Sequence, residues 1–284
     1  MSDLEGAVTR HYGSYDVLDR IRSGLSAMGI DLQQVRPEQL KAVDEFHIGG
    51  AEATSALLDR LEIRPDTAVL DIGAGIGGPA RMIALRYGCK VTGIDLTPDF
   101  VEAARALSDM VGLGDRVRFE IGSATALPFA DRSFDLALLL HVGMNIPDKA
   151  GVFREARRVL RDGGTFAIYE VMRVGEGELS FPVPWAETPD LSALDRPEAY
   201  RTAAKSAGFA LVEEEDRRAI ALDFFARLQA QTSGTAPAPL GLHNLMGPTV
   251  KEKSANMIAA LRAGTIAPVQ MIFRTASIGA LPHG

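Results

Sequence analysis

The apolar positions of this chain change their period along its length, and the changes divide it into three stretches. Up to residue 62 they recur only at helical spacing, with Val17, Leu18, Ile21, Leu25 and Met28 on one face. Arg36-Pro37-Glu38 restarts a helix, the Gly49-Gly50 pair breaks the chain, and Leu57, Leu58 and Leu61 mark a third helix. From about 67 to 175 short apolar runs alternate with amphipathic segments. Ala68–Ile72, Lys90–Ile94, Arg116–Ile121, Phe134–Leu140 and Thr165–Val171 read as strands. A run as apolar as Phe134–Leu140 suits a parallel strand covered on both faces. Between them lie a helix at Gly78–Tyr87, one starting at Thr97-Pro98-Asp99, and one with Val152, Phe153, Ala156, Val159 and Leu160 in register. Pro79 and Pro98 fall in first turns, where a missing N–H costs nothing, and Thr97 reads as an N-cap.

Arg154, Arg157, Arg158 and Arg161 read as the solvated face of the third of these helices, which Asp162-Gly163-Gly164 ends. In the last third, Asp195 to Glu198 is close to a capping box before a helix with Tyr200, Ala203, Ala204 and Ala207. Phe209–Glu213 and Pro268–Ser277 are strand-like, with irregular stretches at 175–194 and 232–247. Strands and helices alternating in this way predict an α/β protein, a doubly wound parallel sheet with helices on both faces. The division that follows is a helical cap or lid over 1–62 and a core over 63–284, with cap insertions near 175–194 and 220–262.

Composition narrows the function classes. The net charge of −7 argues against a general nucleic-acid surface or an anionic-membrane surface. One cysteine, Cys89, cannot make an intrachain disulfide and reads as a small buried residue beside a strand. The start, MSDLEGAVTR, is acidic and polar, unlike a signal peptide. The most apolar stretch, 136–146, is interrupted by His141 and Asn145 and is far short of the roughly 20 residues of a membrane span. The expected address is the cytoplasm; a homodimer is left open. The five histidines show no paired ligand spacing, so no metal site is expected. No G-x-S-x-G elbow appears, so Ser/His/Asp hydrolysis lacks support.

The segment that carries chemistry is Val69-Leu-Asp71-Ile-Gly73-Ala-Gly75-Ile-Gly77-Gly78. Glycines after a parallel strand let the backbone turn tightly and let a ligand sit on it. Asp95 ends the next strand about 20 residues after Gly75, where it can accept hydrogen bonds from both hydroxyls of a ribose. Gly73, Gly75 and Gly78 also satisfy G-x-G-x-x-G, which by itself would admit a nicotinamide or flavin dinucleotide. Asp71 argues against one: a carboxylate beside a pyrophosphate is unfavourable, and beside an ammonium it is favourable.

D-x-G-x-G-x-G after a strand, with an acid ending the next, resembles the class I S-adenosylmethionine-dependent methyltransferases. Gly122-Ser123-Ala124, Leu127 to Asp135, Arg158 to Gly164 and Ala207-Gly208-Phe209 resemble the same family at the expected places, over about 67 to 212. The resemblance implies a Rossmann-like, mostly parallel seven-stranded sheet whose last strand is antiparallel, with a helical cap. Within the family the chain is similar to small-molecule enzymes: sarcosine/dimethylglycine N-methyltransferases and quinone, tocopherol and sterol C-methyltransferases. Phe46 to Gly50 and Gly77 to Arg81 favour the first group.

The cofactor implied is S-adenosylmethionine, released as S-adenosylhomocysteine. Asp71 would hold its amino end, Gly73, Gly75 and Gly77 its backbone seat, and Asp95 with Leu96 its ribose. Ser123 and Ala124 would flank the adenine, with serine where many relatives carry aspartate. Tyr12 could close over the cofactor as part of a lid, or simply pack. His141, after the fourth strand, could be a base or substrate anchor, or a structural histidine. Glu170 could take a proton or bind an ammonium, or pair with Arg173. His47, Trp185 and, more weakly, His243 are further candidates to meet the substrate. The expected acceptor is a small molecule, first an amine nitrogen, with oxygen or carbon close behind. An NAD(P)-dependent oxidoreductase and a non-catalytic binding module of the same fold are the rival readings.

Overall fold

The computed structural model describes residues 6, 16–45, 47–232, 238–241, 243–246 and 249–275. Seven strands form one sheet: β1 (Ala68–Ile72), β2 (Lys90–Asp95), β3 (Val117–Ile121), β4 (Phe134–Leu140), β5 (Leu160–Arg173), β6 (Phe209–Asp216) and β7 (Ile266–Thr275). Their spatial order is β3-β2-β1-β4-β5-β7-β6. β1 to β5 pair in parallel, and β7 runs antiparallel between β5 and β6. The expected mostly parallel sheet with an antiparallel last strand is what forms.

Helices cover both faces. α1 is Val17–Ala27, α2 Lys41–Asp44, α3 Gly50–Leu58, α4 Gly78–Tyr87, α5 Pro98–Met110, α6 Lys149–Val159, α7 Pro197–Ser206, α8 Arg218–Thr232, α9 His243–Met246 and α10 Val250–Ala263. On one face Phe153 of α6 and Tyr200 of α7 pack with Phe166, Phe209 and Phe273 from three strands. On the other, Leu57 and Leu58 of α3 pack with Ile83 of α4 and the facing side chains of β1, β2 and β4. Each such fully buried side chain contributes roughly 1.5–3 kcal/mol. α1 sits on α5: Val17, Ile21 and Leu25 share a cluster with Phe100, Ala103 and Leu107. A fourth cluster joins Val171 at the end of β5 to Val183 and Trp185 of the 175–194 stretch, Phe225 of α8 and Met257 of α10. It roofs the carboxyl edge of the sheet over β4 and β5.

Several local expectations are corrected. Thr97 is the N-cap of α5 but makes no side-chain cap bond. The N-cap of α7 is Arg196, and Asp195 instead accepts from its N–H at 2.8 Å. Arg158 does more than face solvent. It donates to both Glu155 oxygens, to Asp131 and to the carbonyls of Leu127 and Phe129, pinning the loop between β3 and β4 onto α6. No helix among the described residues is long and apolar enough to cross a membrane.

Candidate active site

The carboxyl ends of β1, β2 and β4 open into a cavity of about 480 Å³. That edge is where α/β sheets of this kind hold their ligands. The turn after β1 forms its floor. Gly73 has φ +74°, and a Cβ there would lie 2.3 Å from Val142. Gly75 has φ +52°, and nothing lies within 4 Å of where its Cβ would be, so its backbone faces open space. Its N–H donates to Asp95 Oδ2 at 2.8 Å, while Asp95 Oδ1 accepts from Thr97 N at 2.9 Å. Asp95 therefore joins the β1 and β2 turns. Each carboxylate oxygen has a second lone pair left for a hydroxyl. Burial pushes the Asp95 carboxyl up, and the backbone donors oppose that shift.

Gly77 is a correction. It does not line the cavity: with φ +86° it caps α4, and a Cβ would lie 2.4 Å from the Phe119 ring. Its glycine is required by packing. Leu96, Ser123 and Ala124 line the cavity with Gly73, Gly75, Asp71 and Asp95. Ser123 Oγ is 2.9 Å from Thr125 Oγ1. Tyr12 lies outside the described residues.

Asp71 is 1% exposed, and its Oδ2 has no partner among the described residues. Buried polar atoms are nearly always bonded, so an orphaned carboxylate oxygen on a cavity wall asks for a donor. Burial, and then the charge of Asp95, push its carboxyl up to about 7. A cation placed there would restore the charged form. Asp44, on α2, is a third acid at this end of the cavity, and the sequence reading missed it. Its Oδ1 accepts from Arg81 Nη2 at 2.6 Å, and Arg81 is 2% exposed. The signal was Arg81 itself: a guanidinium on a buried helix face needs a carboxylate from elsewhere.

His141 lines the same cavity, with φ +57°. Its Nδ1 is 2.9 Å from the Tyr169 carbonyl, an acceptor, so Nδ1 carries the proton. Nε2 then accepts from Ile48 N at 3.3 Å. Burial, and then the neighbouring His47, push the ring down to about 3. With both nitrogens engaged, the expectation of a base at His141 meets a neutral tie between the N-terminal segment and two strands. His47 also lines the cavity, but its nitrogens face away from it. Nε2 is 3.0 Å from Thr54 Oγ1, which donates to Glu45, and Nδ1 is 3.5 Å from Glu45. Burial pushes His47 down to about 4 and Glu45 up to about 8.

Glu170 does not line the cavity and does not pair with Arg173. It is fully buried, and accepts from Val142 N at 3.0 Å and Gly143 N at 2.9 Å. The turn after β4 needs an acceptor for these two N–H groups, and the strand beside it supplies one. Burial pushes Glu170 up to about 8 against those bonds. Trp185 does line the cavity, 2% exposed, with Nε1 donating to Ser192 Oγ at 3.0 Å. His243 does not. It is exposed on α9, whose Leu245 packs in one cluster with Val17, Ile21 and Leu25 of α1. No group of three metal-ligating side chains occurs among the described residues.

The fold and the cavity together define an α/β protein with an acidic end and an apolar end to its cavity. A family profile described as a methyltransferase domain matches residues 70–168. "Methyltransferase GfsG" of Streptomyces halstedii is 30% identical over 215 residues, covering 75% of this chain and 73% of that one. A sarcosine/dimethylglycine N-methyltransferase of Halorhodospira halochloris is 31% identical over 171 residues, 58% of this chain and 61% of that one. The chain spans only 46% and 48% of two sterol 24-C-methyltransferases that it also matches. A solved geranyl diphosphate C-methyltransferase of Streptomyces coelicolor A3(2), in complex with S-adenosyl-L-homocysteine, superposes with TM-score 0.68 at 17% identity, over 97% of this chain and 99% of that one. This chain belongs to the S-adenosylmethionine-dependent methyltransferase family.

Proposed function

We propose that this enzyme transfers the methyl group of S-adenosylmethionine to a small-molecule acceptor, first of all to an amine nitrogen. The observation that carries the reading is the orphaned, buried Asp71 Oδ2 beside the open backbone of Gly75. It suits a ligand with an ammonium next to a nucleoside, and it repels the pyrophosphate of a dinucleotide. In this reading Asp71 receives the ammonium, Asp95 and Leu96 the ribose, and Ser123 and Ala124 the adenine, over the floor of Gly73 and Gly75. Bound there, the cofactor supplies a methyl group on a sulfonium, open to in-line displacement.

The chain's own part is placement and exclusion of water. The His141 turn, anchored by Glu170 from behind, shapes the wall between cofactor and acceptor. Trp185 and the apolar roof shed solvent. Both ring nitrogens of His141 are engaged, and His47 has Nε2 3.0 Å from Thr54 Oγ1 and Nδ1 3.5 Å from Glu45. That favours an acceptor atom that already carries a lone pair. An amine meets the condition, because an apolar surrounding favours its uncharged form. A phenol or an acidic carbon would need a base, and oxygen or carbon acceptors stand behind nitrogen for that reason. Calorimetric titration with S-adenosylmethionine, S-adenosylhomocysteine and NADH tests the cofactor half. Micromolar binding of both adenosyl ligands and none of NADH is expected. NADH binding alone would favour the oxidoreductase reading, and binding without turnover on any amine would favour the non-catalytic module.

A further inference from the structure

The cavity has two halves of opposite character. Its three acids other than Asp148, namely Asp44, Asp71 and Asp95, lie at the cofactor end. The half over β4 and β5 is walled by Met144, Val171, Trp185, Phe224, Phe225 and Met257. Among the described lining residues there is no lysine or arginine. The neutral polar side chains on this wall are Asn145 and Ser254, with the engaged rings of His47 and His141 also on the lining. Asp148 on the rim caps α6, accepting from Gly151 N at 2.7 Å. The cations nearest this half are already engaged outside it. Lys149 Nζ donates to the carbonyls of Ile146 and Ala193 at 2.5 and 2.8 Å, and Lys253 Nζ pairs with Glu187 at 2.5 Å. The indole N–H of Trp185, which also lines the cavity, is satisfied by Ser192.

From this we infer that the acceptor is a bulky, uncharged, largely hydrocarbon molecule, and not an amino acid, a phosphomonoester or a diphosphate. The inference rests on the methyl-transfer reading above and names the substrate class of the same site. A carboxylate or phosphate entering this half would lose its water and meet no lysine or arginine among the described lining residues, which is among the most expensive transfers in a protein. A hydrocarbon body loses little and gains contact with aromatic and methionine side chains, the usual lining of small-molecule sites. The same argument sets this chain apart from its similarity to sarcosine/dimethylglycine enzymes, since those two acceptors each carry a carboxylate.

The test is calorimetric binding to the full chain saturated with S-adenosylhomocysteine, using farnesol, farnesyl diphosphate and sarcosine as probes. Farnesol is expected to bind at least tenfold more tightly than either anionic probe. Met257→Lys is expected to reverse the order of farnesol and its diphosphate while leaving the affinity for S-adenosylhomocysteine unchanged. Phe224→Lys, at a half-buried position on the neighbouring helix, serves if the first variant fails to fold. Failure of farnesol to bind more tightly than both anionic probes overturns the inference. Failure to bind S-adenosylhomocysteine at all overturns the methyl-transfer reading instead, so the two are separable.

Discussion

At the scale of single residues, Asp71 illustrates a conflict between stability and binding. A carboxylate 1% exposed with an unpartnered oxygen is a burden on the empty protein. It becomes an asset only when a cation arrives. Asp71→Asn removes the charge and keeps the shape. The variant is expected to melt at the same or a higher temperature than the parent. Its affinity for S-adenosylmethionine should fall by about 1.5–3 kcal/mol, the range of a charged hydrogen bond. Equal affinity in a folded variant would remove Asp71 from the ammonium. The two glycines of the same turn separate in a similar way. Gly75→Ala places a methyl in open space at a cost of roughly 1–2 kcal/mol for its positive φ, so it should fold and bind the cofactor weakly. Gly77→Ala adds the Phe119 collision to the same strain, so it should lose more stability than Gly75→Ala. Thermal melts of the pair, with cofactor titrations, check both halves; a Gly77→Ala protein as stable as Gly75→Ala would deny the packing role.

At the scale of elements, the turn after β4 is held from three directions. Tyr169 and Glu170 of β5 and Ile48 before α3 all bond to residues 141–143. His141→Ala leaves the Ile48 N–H without its partner and takes the ring donor from the Tyr169 carbonyl, which keeps the backbone N–H of residue 141 at 2.8 Å, a cost of about 1–3 kcal/mol for an unsatisfied buried group. His141→Gln can donate to one and accept from the other, so it should recover part of that stability and of the turnover. If His141 were instead the base, Gln would be as inactive as Ala, and the acidic limb of the kcat/KM profile would vanish in both. What was legible here follows from locality. β1, β4 and α4 match their apolar runs residue for residue, because a strand buried on both faces and a helix bounded by Gly78 and Gly88 are written in consecutive positions. β5 starts at Leu160, earlier than expected, because Asp162-Gly163-Gly164 signals a stop, yet Leu160 already pairs with Phe134 of β4 before the register shifts to Leu136 and Thr165. β6 extends through Glu213 to Asp216, an acidic run that looks like solvent. Pairing with β7 holds it as a strand, and Arg60, Arg201 and Arg217 meet its charges. Cavity-lining acids were legible near strand ends, Asp71 one residue before the end of β1 and Asp95 at the end of β2. Asp44 and the inward turn of Glu170 depend on partners far away in the chain, and no local pattern encodes them.

At the scale of the whole molecule, the buried acids make folding and cofactor binding respond to pH in opposite senses. Asp71, Glu45 and Glu170 have folded values of about 7, 8 and 8, above their ordinary values. Such groups stabilise the fold fully below the unfolded carboxylate range, and that contribution is lost as pH rises through the folded values. His47 and His141 are depressed to about 4 and 3, so their contribution is complete above the ordinary histidine value and is lost only as pH falls. Above pH ~6.5 only the acids change, so the cofactor-free protein should lose stability towards pH ~8.5, by an amount on the order of a few kcal/mol. Binding runs the other way over part of that range. Below pH ~7 the cofactor's ammonium must displace the Asp71 proton, so binding releases a proton and affinity rises with pH. Above pH ~8 an α-amino group has itself lost its proton, so binding to an ionised Asp71 takes one up and affinity falls. Calorimetry in buffers of different ionisation enthalpy counts these protons directly. Release at pH ~6 and uptake at pH ~9 are expected, with the tightest binding between. In Asp71→Asn the release at pH ~6 should disappear. A parent protein whose binding heats are independent of buffer at pH ~6 would mean that Asp71 is already ionised in the empty site, or that the ammonium binds elsewhere.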